Sequence, residues 1–365
     1  MNFDELTRKR IELQRHYEIR ENATQDVLIK CDLILEDIYK IIEESNRVIL
    51  LADNVKKVLD DLDAEFESQT SLNKLDMTFL FLAVALQCAR QYILANDKFR
   101  LTSKEGDIRI KKIIPKQWQT VLLESVPYDA MGKGTGLGGS THRYRTLGHD
   151  PVLGWIFGPM NILSDSLTKT DFITSYSVQN MKICEMIPTI DVFTNAMWQI
   201  LSDKYLLPIA VTRQAMHFGS DYFTKQGLPL PFISSIDNDI SKVLVTQFNI
   251  DIYSVTRGVT VAVLINALIS CIHQLFYKEN EHKSHELYEA KTRKILLYSN
   301  LIATESNVIL VALKSCMGDP TAFKKFDIGG IIVTLHRLIT DINFIGEIKR
   351  EFIKKRFNEM IRGDE

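Results

Sequence analysis

A long apolar repeat between residues 27 and 62 is the feature that most constrains the fold. Its members follow in alternating steps of four and three, and Ser45 is the only polar one: Val27, Cys31, Ile34, Ile38, Ile41, Ser45, Val48, Ala52, Val55, Leu59 and Leu62. This spacing matches the a and d positions of a heptad repeat and predicts a long helix. Further apolar residues make the stripe broader than a two-stranded seam, so we expect this helix inside an intramolecular bundle. A homodimeric coiled coil is the alternative.

Helical periodicity covers most of the remaining chain and predicts a mainly all-α fold. We expect a multi-helix bundle with long N- and C-terminal helices, a loop-rich central module and one small β-hairpin. The predicted helices are residues 4–20, 77–96, 115–123, 152–157, 190–202, 205–224, 239–248, 255–277, 283–314 and 328–361. Residues 167–178 alternate like a strand, and Thr170 with Asp171 predicts a hairpin turn. The expected domains are an N-terminal helical bundle (1–98), a central module (99–180) and a C-terminal helical module (181–365).

Charge and cysteine usage favour a cytoplasmic protein. The chain has 44 basic and 46 acidic side chains, a balance that does not indicate nucleic-acid binding, although a local basic patch would permit it. Its five cysteines are widely spaced and form no CxxC pair, as is usual for reduced thiols. The first residues are charged and contain no apolar segment typical of a signal peptide.

Two stretches, residues 77–94 and 258–277, are the most apolar in the chain, and the second is long enough to span a bilayer. Polar residues interrupt both of them: Gln87, Arg90, Asn266, His273 and Gln274. Such groups are costly in the middle of a membrane, so we expect buried bundle helices and no stable membrane insertion. A membrane-acting effector that exposes residues 258–277 after a conformational change is the alternative.

The segment 132–158 differs most in composition, because five glycines fall within residues 132–139. The pattern GxGxxG occurs at residues 134–139, but no apolar helix follows it, which excludes a dinucleotide fold. Successive glycine amides can instead bind an anion, with nearby cations assisting. The predicted anion ligands are Lys133, Gly134, Gly136, Arg143 and Arg145. A mobile surface loop is the alternative.

Histidines and carboxylates in and beyond this segment suit a divalent-metal site. His142, His149 and Asp150 lie within nine residues, and His217 with Asp221 shares one face of the predicted helix 205–224. If that face meets the loop, these five residues suit a metal acting on phosphate, with His149 and Asp150 catalytic. Asp150 has an alternative role as a helix cap. The order of these residues is similar to that of helical metal phosphohydrolases, but the spacing from His142 to His149 is too short for that family.

These patterns leave the function open between classes. The leading hypothesis is an intracellular interaction protein or component of a larger complex. Its long helices would bind a protein partner or a second copy, and its 132–150 loop would bind an anionic ligand or a partner. The alternative is a metal-dependent phosphoesterase or nuclease. The basic, amphipathic C-terminal stretch would dock either on an acidic partner or on the body of the protein.

Overall fold

The computed structural model describes residues 3–94, 100–132, 135, 137, 139–225, 227–279 and 284–363. These residues form a mainly helical protein with one small antiparallel sheet, which confirms the predicted fold class. The helices are α1 (Phe3–Asp53), α2 (Val55–Gln69), α3 (Lys74–Leu94), α4 (Ser103–Ile113), α5 (Lys116–Leu122), α6 (Gly154–Leu163), α7 (Thr189–Ser202), α8 (Leu206–Tyr222), α9 (Ile233–Ile236), α10 (Asn238–Thr246), α11 (Ile252–Gln274), α12 (His285–Cys316) and α13 (Ile328–Arg362). Short 3₁₀ turns occupy Pro127–Asp129, Gly139–Tyr144, Leu147–His149 and Ala322–Lys325.

The sheet contains the predicted hairpin and one further strand. Strands β1 (Ser166–Thr168), β2 (Thr174–Gln179) and β3 (Lys182–Pro188) are antiparallel in sequential order. The turn between β1 and β2 is held by Asp171, whose Oδ1 accepts hydrogen bonds from the amides of Ile173 and Thr174. Strand β3 was not predicted, because its side chains are mostly exposed and carry no burial pattern.

By its internal contacts, the chain divides into two compact units. One consists of residues 1–71 with 343–365, and the other of residues 72–342. In the first unit, α1 is continuous from Phe3 to Asp53, so the predicted end of a first helix at residue 20 is wrong. Within this helix the Thr24 hydroxyl donates to the carbonyl of Arg20 at 2.8 Å, so its polar side chain is accommodated without a break. The chain breaks instead at Asn54, between α1 and α2.

The apolar stripe of α1 is not in a bundle interior. No residue of α1 is buried among the described residues, and the side chains of Ile38 and Val48 are 44% and 43% exposed. The expectation of an intramolecular bundle around this helix is therefore wrong. No other described part of the chain covers the stripe. The heptad spacing therefore marks an apolar helix face whose partner is not among the described residues.

The basic C-terminal stretch packs against α2 within the same unit. Lys349 Nζ lies 3.0 Å from Asp63 Oδ2, and Arg356 Nε lies 3.3 Å from Glu65 Oε2. The rings of Phe66 and Phe352 are 5.7 Å apart and form part of the apolar contact beneath these pairs. Part of the basic charge of the C-terminal stretch is thus paired with acidic residues of α2.

In the second unit, α3, α11, α12 and the first half of α13 form a helical bundle. Its apolar core contains Phe79, Leu80, Ala83, Ile269, Ile295 and Leu296. Asp76 lies in the first turn of α3: Asn73 Oδ1 accepts from the Asp76 amide, and Asp76 Oδ2 accepts from the Asn73 amide, both at 2.9 Å. Among the described residues, α3, α11, α12 and α13 are each long and apolar enough to cross a membrane.

The remaining elements of this unit, α4 to α10 and the sheet, form a smaller module with its own core. The residues of that core come from several segments: Val126, Tyr128, Ala130, Leu137, Ile162, Leu167, Val178 and Ala210. The core brings the segment around Tyr128 against α6, the sheet and α8. That packing positions the site described next.

Candidate metal centre

Helix α8 supplies two of the predicted metal ligands. His217 and Asp221 lie one turn apart on the same face, with His217 Nε2 3.3 Å from Asp221 Oδ2. Arg213, one turn earlier, lies 3.2 Å from Glu124 Oε2 and donates to the carbonyl of Ser125 at 3.1 Å. Arg213 therefore ties α8 to the chain segment that leads into Pro127–Asp129.

A close contact at Gly148 places the neighbouring His149 against α8. A Cβ atom at residue 148 would lie 2.5 Å from Cγ of Tyr128, so only glycine fits against this ring. The Tyr128 hydroxyl donates to Gln214 Oε1 at 2.5 Å, and Gln214 Nε2 donates to the Gly148 carbonyl at 2.9 Å. Burial raises the pKa of Tyr128 well above its usual range, which keeps this hydroxyl protonated. The Tyr128 ring meets His149 and His217 edge-on, with centroids 4.9 and 5.4 Å away.

Gly158, like Gly148, lies where the chain packs closely against another side chain, and it does not end a helix. The helix predicted at residues 152–157 is present, but its bounds are wrong: α6 begins at Gly154 and runs through Gly158 and Pro159 to Leu163. A Cβ at residue 158 would overlap the side-chain amide of Gln214. The glycine is required by the approach of α6 to α8.

Asp129 lies at the centre of the site, although no sequence pattern predicts it as a ligand. Its Oδ1 atom is 3.0 Å from His149 Nε2, 3.3 Å from His142 Nε2 and 3.6 Å from His217 Nε2. The two ring nitrogens of His149 and His217 are 3.3 Å apart. The only signal in the sequence was an acidic residue shortly before the glycine segment, which is too common to single out.

Hydrogen bonding assigns the proton of His149. The Thr146 hydroxyl donates its single hydrogen to the His142 carbonyl at 3.0 Å and lies 2.8 Å from His149 Nδ1. When it donates to that carbonyl it accepts from Nδ1, which in this tautomer carries the ring proton. Nε2 of neutral His149 then presents a lone pair toward Asp129 and His217. This fixed tautomer is typical of a metal-binding histidine.

The three ligand atoms have the spacing that one shared ion produces. Asp129 Oδ1, His149 Nε2 and His217 Nε2 form a triangle with sides of 3.0, 3.3 and 3.6 Å. Its centre lies about 1.9 Å from each atom, and zinc binds nitrogen and carboxylate oxygen at roughly 2.0–2.2 Å. An ion slightly outside the plane of the triangle would reach all three atoms at normal bond lengths without rearrangement.

The ionisation of these groups suits cation binding. Burial lowers the pKa of His149 to about 4, outweighing the opposing effect of Asp129, so the imidazole is neutral at physiological pH. Burial also disfavours the charged form of Asp129, but His217, His142 and His149 outweigh it and hold the pKa of Asp129 well below its usual range. Asp129 Oδ1 and Asp221 Oδ2 are buried, and the polar atoms that they face are the ring nitrogens of these histidines. A cation between the carboxylate oxygens and unprotonated ring nitrogens would satisfy both sets of lone pairs.

The charge of Arg143 is paired within the site. Its guanidinium forms an ion pair with Asp221 Oδ1 and donates to Thr224 Oγ1 at 3.1 Å, and the side chain is buried. Arg143 was predicted to bind an external anion, but the structure places its charge on Asp221. Asp221 Oδ2 remains directed at His217 and His149, at 3.3 and 3.7 Å.

Asp150 has a structural role that accounts for both of its oxygens. Oδ1 accepts from the amides of Val152 and Leu153 at 2.9 Å, and Oδ2 accepts from the Phe232 amide at 2.6 Å. These bonds start the turns before α6 and attach them to residue 232. The alternative role as a cap thus describes Asp150 better than the predicted roles as metal ligand and catalytic residue.

The other predicted residues take varied positions. His142 lies beside Asp129, and its ring centroid is 5.0 Å from that of His149. Arg145 is half-buried, and its carbonyl accepts from the Thr170 amide at 3.2 Å. Lys133, Gly134 and Gly136 lie outside the described residues. The structure therefore brings together His142, His149, His217 and Asp221, and adds Asp129.

Comparisons with models of known protein families, with curated proteins and with solved structures find no match for this chain. The site must accordingly be interpreted from its own chemistry.

Proposed function

We propose that this protein is a metal-dependent hydrolase of phosphate esters, with one transition-metal ion bound by Asp129, His149 and His217. The supporting observation is the triangle of their three ligand atoms, with sides of 3.0–3.6 Å, around a point within bonding distance of all three. Two imidazoles and one carboxylate favour zinc or a similar transition metal over magnesium or calcium.

The burial of the three ligands supports a catalytic rather than a purely structural ion. The His149 side chain is fully buried, whereas those of Asp129 and His217 are 28% and 17% exposed. We propose that water reaches the ion from the side of Asp129 and His217, the two partly exposed ligands, and completes its coordination there. Binding to zinc lowers the pKa of such a water to roughly 7, which supplies hydroxide as a nucleophile at neutral pH.

The charges around the ion favour an anionic substrate. Asp221 and Arg143 form an ion pair, and the histidines are neutral ligands. A divalent ion with the single carboxylate of Asp129 would then carry one net positive charge, which suits a phosphate ester. We assign Asp221 Oδ2, beside both liganding nitrogens, as the acceptor for the proton of the attacking water.

Hydrolysis of bis(4-nitrophenyl) phosphate tests the proposal. The purified protein is treated with a chelator and reloaded with zinc or manganese, and release of nitrophenol is followed by absorbance. We expect chelation to abolish turnover, and Asp129→Asn and His217→Gln each to lower kcat/KM at least 100-fold. The control is His336→Gln, which removes an exposed histidine of α13. Full turnover by chelated protein or by Asp129→Asn would refute the proposal.

Helix α1 supports a second function, self-association. It presents a heptad-spaced apolar stripe from Val27 to Ala52, and no described residue of the helix is buried. A second copy of the same helix is the simplest partner for such a register. Sedimentation velocity of the full chain tests this: a dimer that Ile38→Asp converts to monomer is expected, and a wild-type monomer would exclude it.

A further inference from the structure

The interior of the bundle of α3, α11, α12 and α13 is rich in polar side chains. At one end, Asp76 Oδ1 lies 3.0 Å from His273 Nε2, and Lys291 Nζ lies 3.4 Å from Asp76 Oδ2. His273 Nδ1 lies 2.8 Å from Thr292 Oγ1. The His273 side chain is fully buried, and that of Asp76 is 1% exposed. Each member of this group is thus buried and hydrogen-bonded to another helix.

Similar polar layers continue along the bundle. In the middle, Asn266 Oδ1 accepts from Gln87 Nε2 at 3.0 Å and from Asn300 Nδ2 at 2.8 Å. Toward the other end, Arg90 forms an ion pair with Asp327 and donates to the Gly258 carbonyl at 3.3 Å. Asp327 directly precedes α13, so these layers connect α3, α11, α12 and the start of α13 through buried hydrogen bonds. Such bonds are worth most where water is absent.

The outer surface of the bundle has the opposite character. In the most apolar 18-residue stretch of each helix, only 33% of α3, 22% of α11, 44% of α12 and 28% of α13 is buried. The outward side chains include Phe81 (66% exposed), Leu264 (61%), Ile309 (59%) and Ile339 (64%). A bundle in water has apolar residues inside and polar residues outside. The large exposed side chains of this bundle are apolar on all four helices, and its interior combines an apolar core with the polar layers.

Helix length and the position of aromatic residues fit a bilayer. The shortest of the four helices, α3, has 21 residues and is therefore roughly 31 Å long, close to the roughly 30 Å of a hydrocarbon core. Exposed aromatic side chains lie near the helix ends: Tyr92 (59% exposed) close to the end of α3 and Phe276 (45%) just after α11. Aromatic rings are enriched at the two membrane–water interfaces.

We propose that this four-helix bundle is embedded in a lipid bilayer, with acyl chains covering its outward face. Lipid fits better than a single protein partner because the exposed apolar residues occur on all four helices. We expected a soluble, cytoplasmic chain because polar residues interrupt the apolar stretches, among them Gln87, Arg90, Asn266 and His273. The structure places these four side chains inside the bundle with partners, where polar residues of membrane proteins reside.

Flotation of membranes from cells that express the full chain tests the proposal. After high-salt and alkaline washes, membrane-embedded protein rises with the lipid in a density gradient, whereas soluble protein and aggregates do not. We expect wild type to float. Leu264→Lys combined with Leu268→Lys, on the outward face of α11, should reduce the floating fraction at least tenfold. The control, Ile236→Lys, changes a 78% exposed residue of the module and should float like wild type.

A milder substitution separates loss of insertion from loss of folding. In a chain whose native cysteines are replaced by serine, Leu264→Cys in open membrane fragments should resist a water-soluble maleimide until detergent is added. Ile236→Cys should react at once. Wild-type protein that stays in the supernatant, as monomer or oligomer, or sediments without lipid would overturn the proposal. Equal labelling of the two cysteines would do the same. Metal binding enters neither test, so the bilayer proposal can fail while the hydrolase proposal stands.

Discussion

The buried His149 makes a specific prediction about stability and pH. Its pKa falls from 6.5 to about 4 on folding, chiefly because burial disfavours the imidazolium ion. Between these two values the unfolded chain binds the proton and the folded chain does not, so stability decreases as the pH falls below 6.5. By linkage, this one residue should cost the metal-free protein about 2 kcal/mol of unfolding free energy between pH 7 and pH 5.

Denaturant unfolding of chelator-treated protein, followed by circular dichroism at pH 7 and pH 5, measures this loss. Other groups titrate in the same range, so the quantity of interest is the difference between wild type and a variant that cannot be protonated there. His149→Gln should be less stable at pH 7 but should lose about 2 kcal/mol less on acidification. His336→Gln, at an exposed position, should behave as wild type. An equal loss in wild type and His149→Gln would refute the argument.

Three further predictions concern two glycines and the hydrogen bonds of Asp150. Gly148→Ala should lower stability by about 1–3 kcal/mol and weaken zinc binding at least tenfold in calorimetric titration, because its Cβ would meet the Tyr128 ring. Gly219→Ala, with room on the same helix, α8, should instead raise stability by about 0.5–1 kcal/mol with unchanged zinc affinity. Asp150→Ala should destabilise by about 3 kcal/mol in thermal unfolding, since three amides lose their acceptor, yet should retain stoichiometric zinc.

Helical periodicity was enough to predict most of the helices. It failed where contacts between distant parts of the chain determine whether a helix is buried or where it ends. The four long helices of the bundle follow from their apolar spacing. The exposure of α1 could not be predicted, because a heptad stripe specifies that a partner exists but not whether it belongs to the same chain. Gly158 and Pro159 are residues typical of a helix end, yet α6 continues through both. Glycine is needed at residue 158 because the side chain of Gln214 occupies the space where a Cβ atom would lie.

Part of the site was predictable for a similar reason. The spacing of His217 and Asp221 on one helical face is a local property, and their pairing follows from it. Asp129 was missed because its role depends on the packing of Pro127–Asp129 against α8, which no local pattern records. Arg143 was predicted to bind an external anion, since the sequence does not show that Asp221 is its neighbour.

Anomalous X-ray diffraction from crystals of the zinc-loaded protein tests the central claim most directly. We predict one strong peak at the zinc absorption edge, about 2 Å from Asp129 Oδ1, His149 Nε2 and His217 Nε2. Crystals of the Asp129→Asn protein, loaded in the same way, should show at most a weak residual peak. The account would be contradicted if zinc-loaded wild type showed no peak at these three atoms, or if its peak lay elsewhere in the molecule.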